Sequence, residues 1–117
     1  MEKFIKSFIY ALNGIKYTIK TQINFCVQLF IFLLIIIMGF YFKISRYEWL
    51  FILFSSGSVL ALELINTAFE SVVDLTTREY HELAKRAKDV AAGAVLVMSL
   101  VSVIIGLIIF VPYVFNY

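Results

Sequence analysis

The sequence predicts an all-α membrane protein, with an N-terminal amphipathic helix at the membrane interface followed by three transmembrane helices. Of its 117 residues, 62% are hydrophobic and only 15% are charged, whereas a soluble domain is about half apolar and a quarter charged. A chain this small would expose much of that apolar excess to water, so lipid is the solvent that fits. The apolar residues also fall into three runs long enough to cross a bilayer. Residues 1–117 are therefore predicted to form a single integral membrane domain.

The first predicted element is an amphipathic helix over residues 3–20. Its large apolar side chains recur at helical spacing and share one face: Phe4, Phe8, Leu12, Ile15 and Ile19. Lysines lie toward the other side of the same helix. A basic amphipathic helix beside a membrane span is typical of a segment that lies in the plane of the interface.

The three spans are predicted at residues 25–42, 49–73 and 90–115. The first is a run of eighteen residues, about 27 Å of helix, and its only strongly polar member is Gln28. The second is long enough but carries polar and acidic residues within it. The third has no charged residue, and Pro112 lies near its end, where a missing backbone hydrogen bond costs least.

The distribution of basic residues predicts the orientation. All lysines and arginines except Lys43 and Arg46 lie in the N-terminal helix or between the second and third spans. With three spans these two regions share one side of the membrane, and basic loops favour the cytoplasmic side. We therefore expect a multi-pass protein of the inner (cytoplasmic) membrane with a cytoplasmic N-terminus.

The second span carries the candidate functional residues. Glu63, Asn66 and Glu70 are spaced i, i+3 and i+7, so they share one helix face, and Asp74 extends that face by one turn. An ionisable residue inside a span costs roughly 2.5–3.5 kcal/mol on insertion scales, so two on one face need partners. One interpretation is polar packing between helices. The other is a polar site in which carboxylates hold Mg²⁺, a lysine neutralises phosphate and a deeper carboxylate accepts a proton.

Composition and motifs exclude several other classes. The net charge of +2, without a long basic run, gives no reason to expect a nucleic-acid partner. No glycine-rich nucleotide motif of a soluble protein is present. Phosphoryl transfer is still possible without one, because that reaction depends mainly on positioning and charge stabilisation. A channel is disfavoured, since the polar residues crowd toward one membrane face.

Two neighbouring segments resemble the prokaryotic diacylglycerol kinase family. Residues 61–74 contain the pattern E-x-x-N-x-A-x-E-x-x-x-D, and residues 79–95 contain H-x-L-A-K-x-A-K-D. The run A-K-D-V-A-A-G-A-V-L-V and the tail at residues 104–112 are more similar to the Gram-positive branch, in which the substrate is undecaprenol.

The resemblance implies a homotrimeric lipid kinase that uses ATP and Mg²⁺ and has composite sites between subunits. It implies that Glu63 is the general base, that Asn66 supports the base and the phosphate, and that Glu70 binds the metal. Further positions correspond to residues that contact nucleotide or phosphate: Tyr10, Asp74, Lys88 and Asp89.

One position departs from the family pattern. The family has T-E-x-N-F shortly before the first span, whereas residues 21–25 here read T-Q-I-N-F. The resemblance thus places Gln22 where the family has a glutamate that is a metal ligand. An amide oxygen can ligate Mg²⁺, but more weakly than a carboxylate.

Three functions therefore remain open from the sequence. The leading expectation is an ATP-dependent undecaprenol kinase acting at the cytoplasmic interface. The first alternative is a diacylglycerol kinase that makes phosphatidic acid. The second belongs to a different class, a catalytically inactive membrane protein that binds nucleotide or lipid, and Gln22 is the reason to consider it. Self-association is expected on physical grounds, because three spans can hardly enclose a site alone; the number three comes from the resemblance.

Overall fold

In the computed structural model, which describes residues 1–116, the chain forms four helices: α1 (Glu2–Thr21), α2 (Ile23–Phe42), α3 (Arg46–Thr76) and α4 (Glu82–Phe115). The last residue of the predicted domain, Tyr117, lies outside the described residues. Helices α2, α3 and α4 are each long and apolar enough to cross a membrane. The predicted all-α architecture of one N-terminal helix and three spans is confirmed.

The helices extend beyond the predicted spans, most clearly in α4. This helix begins at Glu82, well before the predicted start of the third span at residue 90. The apolar pattern marks the part of a helix that tolerates lipid, but the backbone remains helical through its polar flank. An ion pair between Lys85 and Asp89, one helical turn apart, supports that flank.

Helix α1 ends at a sharp break in the backbone. Gln22 has an extended conformation, with φ −117° and ψ 103°, and it separates α1 from α2. Its backbone N–H still donates to the carbonyl oxygen of Thr18 at 2.8 Å. Thr18 is buried, and its hydroxyl donates to the carbonyl of Gly14. Helix α1 also contacts α2 and α3.

A short turn joins α2 to α3 in an antiparallel hairpin. Lys43 adopts a left-handed conformation with φ 54°, and the N–H of Ile44 donates to the carbonyl of Gly39 at 3.2 Å. This is the hydrogen bond that closes a helix C-terminus in a Schellman motif. Ser45 then caps α3, because it exchanges hydrogen bonds with Glu48 in a capping box.

The largest buried apolar cluster lies at this turn. Ile44 packs there with Ile52 of α3 and with two residues of α4, Ile109 and Phe110. The ring of Trp49 lies against Gly39, where a Cβ atom would collide with it. The Tyr113 hydroxyl donates to the Glu48 carboxylate, which also belongs to the cap of α3. We call this region, from the turn to the cluster, the turn end.

Helix α3 is the centre of the arrangement. It shares its most extensive interface with α4 and a smaller one with α2. More of its residues are buried than in any other helix of the described chain, including the polar residues Ser55, Ser56, Glu63 and Asn66. This central helix therefore carries polar side chains into the protein interior.

Candidate functional site

The candidate site lies in the C-terminal half of α3, far along that helix from the turn end. Glu63 is 4% exposed and Asn66 is 7% exposed, while Glu70 is partly exposed. We call this half of α3, together with the facing part of α4, the carboxylate end. A buried carboxylate requires a hydrogen-bond partner, since an isolated buried charge is very costly.

Glu63 finds its side-chain partner on a different helix. The Gln28 amide nitrogen Nε2, in α2, donates to Glu63 Oε2 at 3.5 Å. Sequence reasoning did not select Gln28 as a functional residue. The signal that could have found it was its position as the only strongly polar residue in the predicted first span.

Asn66 and Glu70 form a second polar pair one turn further along α3. Asn66 Nδ2 donates to Glu70 Oε1 at 3.2 Å. The other polar atom of the amide, Asn66 Oδ1, is buried and has no hydrogen-bond partner within residues 1–116. A carboxylate and a free amide oxygen thus lie together on one face.

These oxygen atoms fit a hard cation. Mg²⁺ prefers oxygen ligands, and it is commonly held by one or two carboxylates together with water and substrate phosphates. No group of three His, Cys, Asp or Glu side chains that could hold a metal is found in the part of the chain that the structure describes. Asn66 and Glu70 therefore offer a partial ligand set, of the kind that substrate phosphates complete.

A charged pair lies where α3 ends and α4 begins. Lys88 Nζ contacts Asp74 Oδ1 at 2.6 Å, and both side chains are partly exposed. Asp89 faces a different partner, because its carboxylate pairs with Lys85 at 2.6 Å. Through its contact with Asp74, Lys88 brings a cation to the same end of α3 as the carboxylates.

The two N-terminal positions selected from the sequence lie apart from these pairs. Gln22 is partly exposed between α1 and α2, and its backbone carbonyl accepts from the N–H of Cys26 at 3.3 Å. Tyr10 is 67% exposed in the middle of α1. Among the hydrogen bonds described for residues 1–116, none joins Gln22 or Tyr10 to Glu63 or Glu70.

A pocket of about 100 Å³ lies between α2, α3 and α4, on the side of Glu63 that faces the turn end. Its walls are mostly apolar, with four polar residues among them: Gln28, Ser56, Ser99 and Ser102. The Ser56 hydroxyl and Gln28 Oε1 are buried without a hydrogen-bond partner in the described chain. The pocket beside Glu63 therefore has a mostly apolar wall with isolated polar groups.

Comparison with known proteins gives a consistent result. The sequence model described as "Prokaryotic diacylglycerol kinase" matches residues 9–110. The undecaprenol kinase of Bacillus subtilis (strain 168) is 46% identical over 112 residues, which is 96% of this chain and 91% of that protein.

Two further relatives carry a different substrate in their names. The diacylglycerol kinase of Synechocystis sp. is 45% identical over 101 residues, covering 86% of this chain and 58% of that protein. The diacylglycerol kinase of Haemophilus influenzae is 35% identical over 107 residues, covering 91% of each chain. The family model therefore covers most of the N-terminal helix, the first two predicted spans and most of the third.

Proposed function

Because the chain belongs to the prokaryotic diacylglycerol kinase family, we propose that it phosphorylates the hydroxyl group of undecaprenol. The coarser activity follows from the family and the relatives: the protein is a multi-pass membrane lipid kinase, a phosphotransferase with an alcohol acceptor. ATP is the co-substrate that a kinase of this family implies.

The choice of undecaprenol rests on the extent of one match. The undecaprenol kinase aligns over 96% of this chain and 91% of its own length. Diacylglycerol is the second candidate, since the Synechocystis diacylglycerol kinase has nearly the same identity, 45%, over a smaller part of its own chain. Both alcohols present one hydroxyl at the membrane interface, so the same carboxylate chemistry applies to either.

The observation that carries the proposed chemistry is the buried carboxylate of Glu63 within the polar face of α3. A general base must lie within hydrogen-bond reach of the proton that it removes. In the proposed reaction the lipid oxygen attacks the γ-phosphorus of ATP, and the bond from that phosphorus to the β-phosphate bridging oxygen breaks. The hydroxyl proton passes to Glu63, and ADP leaves.

Two groups of residues in this chain are proposed to help balance the negative charge of the ATP phosphates. Glu70 and the free oxygen of Asn66 would hold Mg²⁺, which neutralises phosphate charge when it is bound. Lys88 would contact a phosphate oxygen, with Asp74 holding its ammonium group in place. In the proposal Asp89 and Tyr10 contact the nucleotide. Phosphoryl transfer needs mainly this kind of positioning and charge stabilisation.

Gln22 is proposed as a weaker metal ligand in place of a carboxylate. It lies at the break between α1 and α2, where its side chain is partly exposed. A neutral amide oxygen binds Mg²⁺ less strongly than a charged oxygen. We therefore expect the enzyme to need more Mg²⁺ than a variant with glutamate at this position.

The assembly and location complete the proposal. A homotrimer would supply groups to each site from a neighbouring copy, and the partial ligand set on α3 is consistent with that need. The site would face the cytoplasm, where ATP is available, with the N-terminus on the same side of the inner membrane. The lysine-rich N-terminal helix and the basic start of α4 support this orientation.

The test is transfer of labelled phosphate from ATP by the purified protein in detergent micelles. Micelles containing undecaprenol, micelles containing diacylglycerol and micelles containing both are compared, with Mg²⁺ and with a chelator. The proposal predicts Mg²⁺-dependent transfer that is faster to undecaprenol, also in direct competition. Faster transfer to diacylglycerol would show that diacylglycerol is the preferred substrate and would leave the proposed mechanism unchanged. No transfer from folded protein, restored by Gln22→Glu, would identify a damaged metal site.

A further inference from the structure

We infer that Gln28 is a positioning residue for Glu63: its side-chain amide holds the carboxylate in the orientation that receives the proton of the lipid hydroxyl. The inference rests on the proposed function of Glu63 as the base. It adds a residue of α2, a helix that contributes no side chain to the proposed function as stated above.

The geometry defines what the amide does. Gln28 Nε2 donates to Glu63 Oε2 at 3.5 Å across 35 positions of the chain, so one helix fixes a side chain of another. A carboxylate has two oxygens, and a donor on Oε2 leaves Oε1 to accept the hydroxyl proton. The Glu63 side chain has several rotatable bonds, and a second fixed point restricts them.

The direction of the Gln28 amide follows from the charge that it faces. Its nitrogen turns to the carboxylate, because a carbonyl oxygen there would be repelled. Its own oxygen, Oε1, is consequently buried with no hydrogen-bond partner in residues 1–116. A buried unpaired acceptor is unfavourable, and an apolar side chain would serve better if packing were the only role.

The rest of α2 offers no replacement for this donor. The run from residue 25 to residue 42 has no other strongly polar side chain. The neighbours of Gln28 in the pocket wall on α2 are Ile31, Phe32 and Ile35. Removal of the amide would therefore leave Glu63 without a side-chain donor from this helix.

The first test replaces Gln28 with methionine, which has a similar size and no hydrogen-bonding amide. We expect kcat to fall about tenfold, because a hydrogen bond to a charged group is lost. The KM for ATP stays unchanged, since the amide touches the carboxylate and not the nucleotide. Ser58→Ala is the control, because this α3 hydroxyl donates to the carbonyl of Phe54 and lies outside the pocket wall, and it keeps the wild-type kcat. Unchanged kcat in Gln28→Met would overturn the inference.

The second test separates positioning from packing. In a Glu63→Asp background the carboxylate is shortened by one methylene and withdrawn from the amide, so Gln28→Met should lower kcat no further. An equal loss in both backgrounds would mean that Gln28 acts through packing, and would overturn the inference. If the methionine variant does not fold, Gln28→Glu provides the same comparison, with the donor replaced by an acceptor of equal size.

The two proposals fail in different ways. If the proposed function is wrong, folded wild-type protein transfers no phosphate to either lipid alcohol. If only the inference is wrong, the wild type is active and the Gln28 variants either match it or lose activity regardless of the residue at position 63.

Discussion

The turn end and the carboxylate end of this protein are stabilised by different means. At the turn end, apolar side chains of three segments are buried against each other, and the polar groups are paired, as in the capping box of Ser45 and Glu48. At the carboxylate end the buried side chains include the polar residues Glu63 and Asn66, and the Asn66 oxygen has no partner in the described chain. The buried apolar cluster lies at the first end, and the second end holds a buried amide oxygen with unused bonding capacity. Unsatisfied buried groups cost stability, so they are expected where a ligand binds.

The largest effect that this comparison predicts is on turnover, from Glu63→Gln. The change keeps the size of the side chain and removes its ability to accept a proton. We expect kcat for lipid phosphorylation to fall by at least about 100-fold, with little change in the unfolding midpoint. Glu48→Gln is the control at the turn end, and it should retain most of the activity. A Glu63→Gln enzyme with wild-type turnover would remove Glu63 from the mechanism.

The second prediction concerns the Mg²⁺ requirement and Glu70. In Glu70→Gln a charged oxygen becomes neutral, so the Mg²⁺ concentration for half-maximal activity should rise by about tenfold or more. The measurement is a Mg²⁺ titration of initial rates at saturating ATP. Glu79→Gln changes an exposed carboxylate outside the helices and should leave the titration unchanged. If both variants titrate like the wild type, the metal lies elsewhere.

The pattern of Glu63, Asn66 and Glu70 shows what could be predicted from sequence. Helical spacing alone places three polar residues of an apolar segment on one face. Their partners on other helices could not be predicted, because such contacts depend on which face of α2 or α4 packs against α3. The Gln28–Glu63 contact is one example, and the Lys88–Asp74 pair is another. The roles assigned to Gln22 and Tyr10 remain predictions.

Helix ends were predictable only where the sequence carries a local signal. The apolar runs located the three spans, but they could not show that α4 begins at Glu82, because a helix continues into water as long as its backbone is hydrogen-bonded. The turn end has a clearer local sequence signal. A serine three residues before a glutamate marks a helix start, as Ser45 and Glu48 do here. Its apolar cluster with α4 is a tertiary feature that no local pattern contains.

The third prediction tests the packing of the turn end. In Gly39→Ala the new methyl group would collide with the Trp49 ring, so the free energy of unfolding should decrease by about 1–3 kcal/mol. Turnover per folded molecule should remain near the wild-type value. Gly106→Ala, where a Cβ meets nothing within 4 Å, is the control for the general effect of alanine. Equal unfolding midpoints for the two variants would contradict the close packing at Gly39. Thermal unfolding in detergent gives both midpoints.

The smallest predicted effect is at the cap of α3. Ser45→Ala removes the side-chain acceptor for the Glu48 N–H, and loss of such a cap costs about 1 kcal/mol. Ser45→Asp keeps an acceptor and should retain most of the stability. A decrease in kcat for Ser45→Ala without a change in midpoint would contradict the assignment of this region to stability.

The most direct test of the division between the two ends is turnover per folded molecule, measured side by side for Glu63→Gln and Gly39→Ala. Folded protein is quantified in each sample before initial rates of phosphate transfer are recorded. The account predicts that Glu63→Gln is stable and nearly inactive, whereas Gly39→Ala is less stable and, where folded, active. Wild-type turnover in folded Glu63→Gln, or loss of turnover in folded Gly39→Ala, would contradict it.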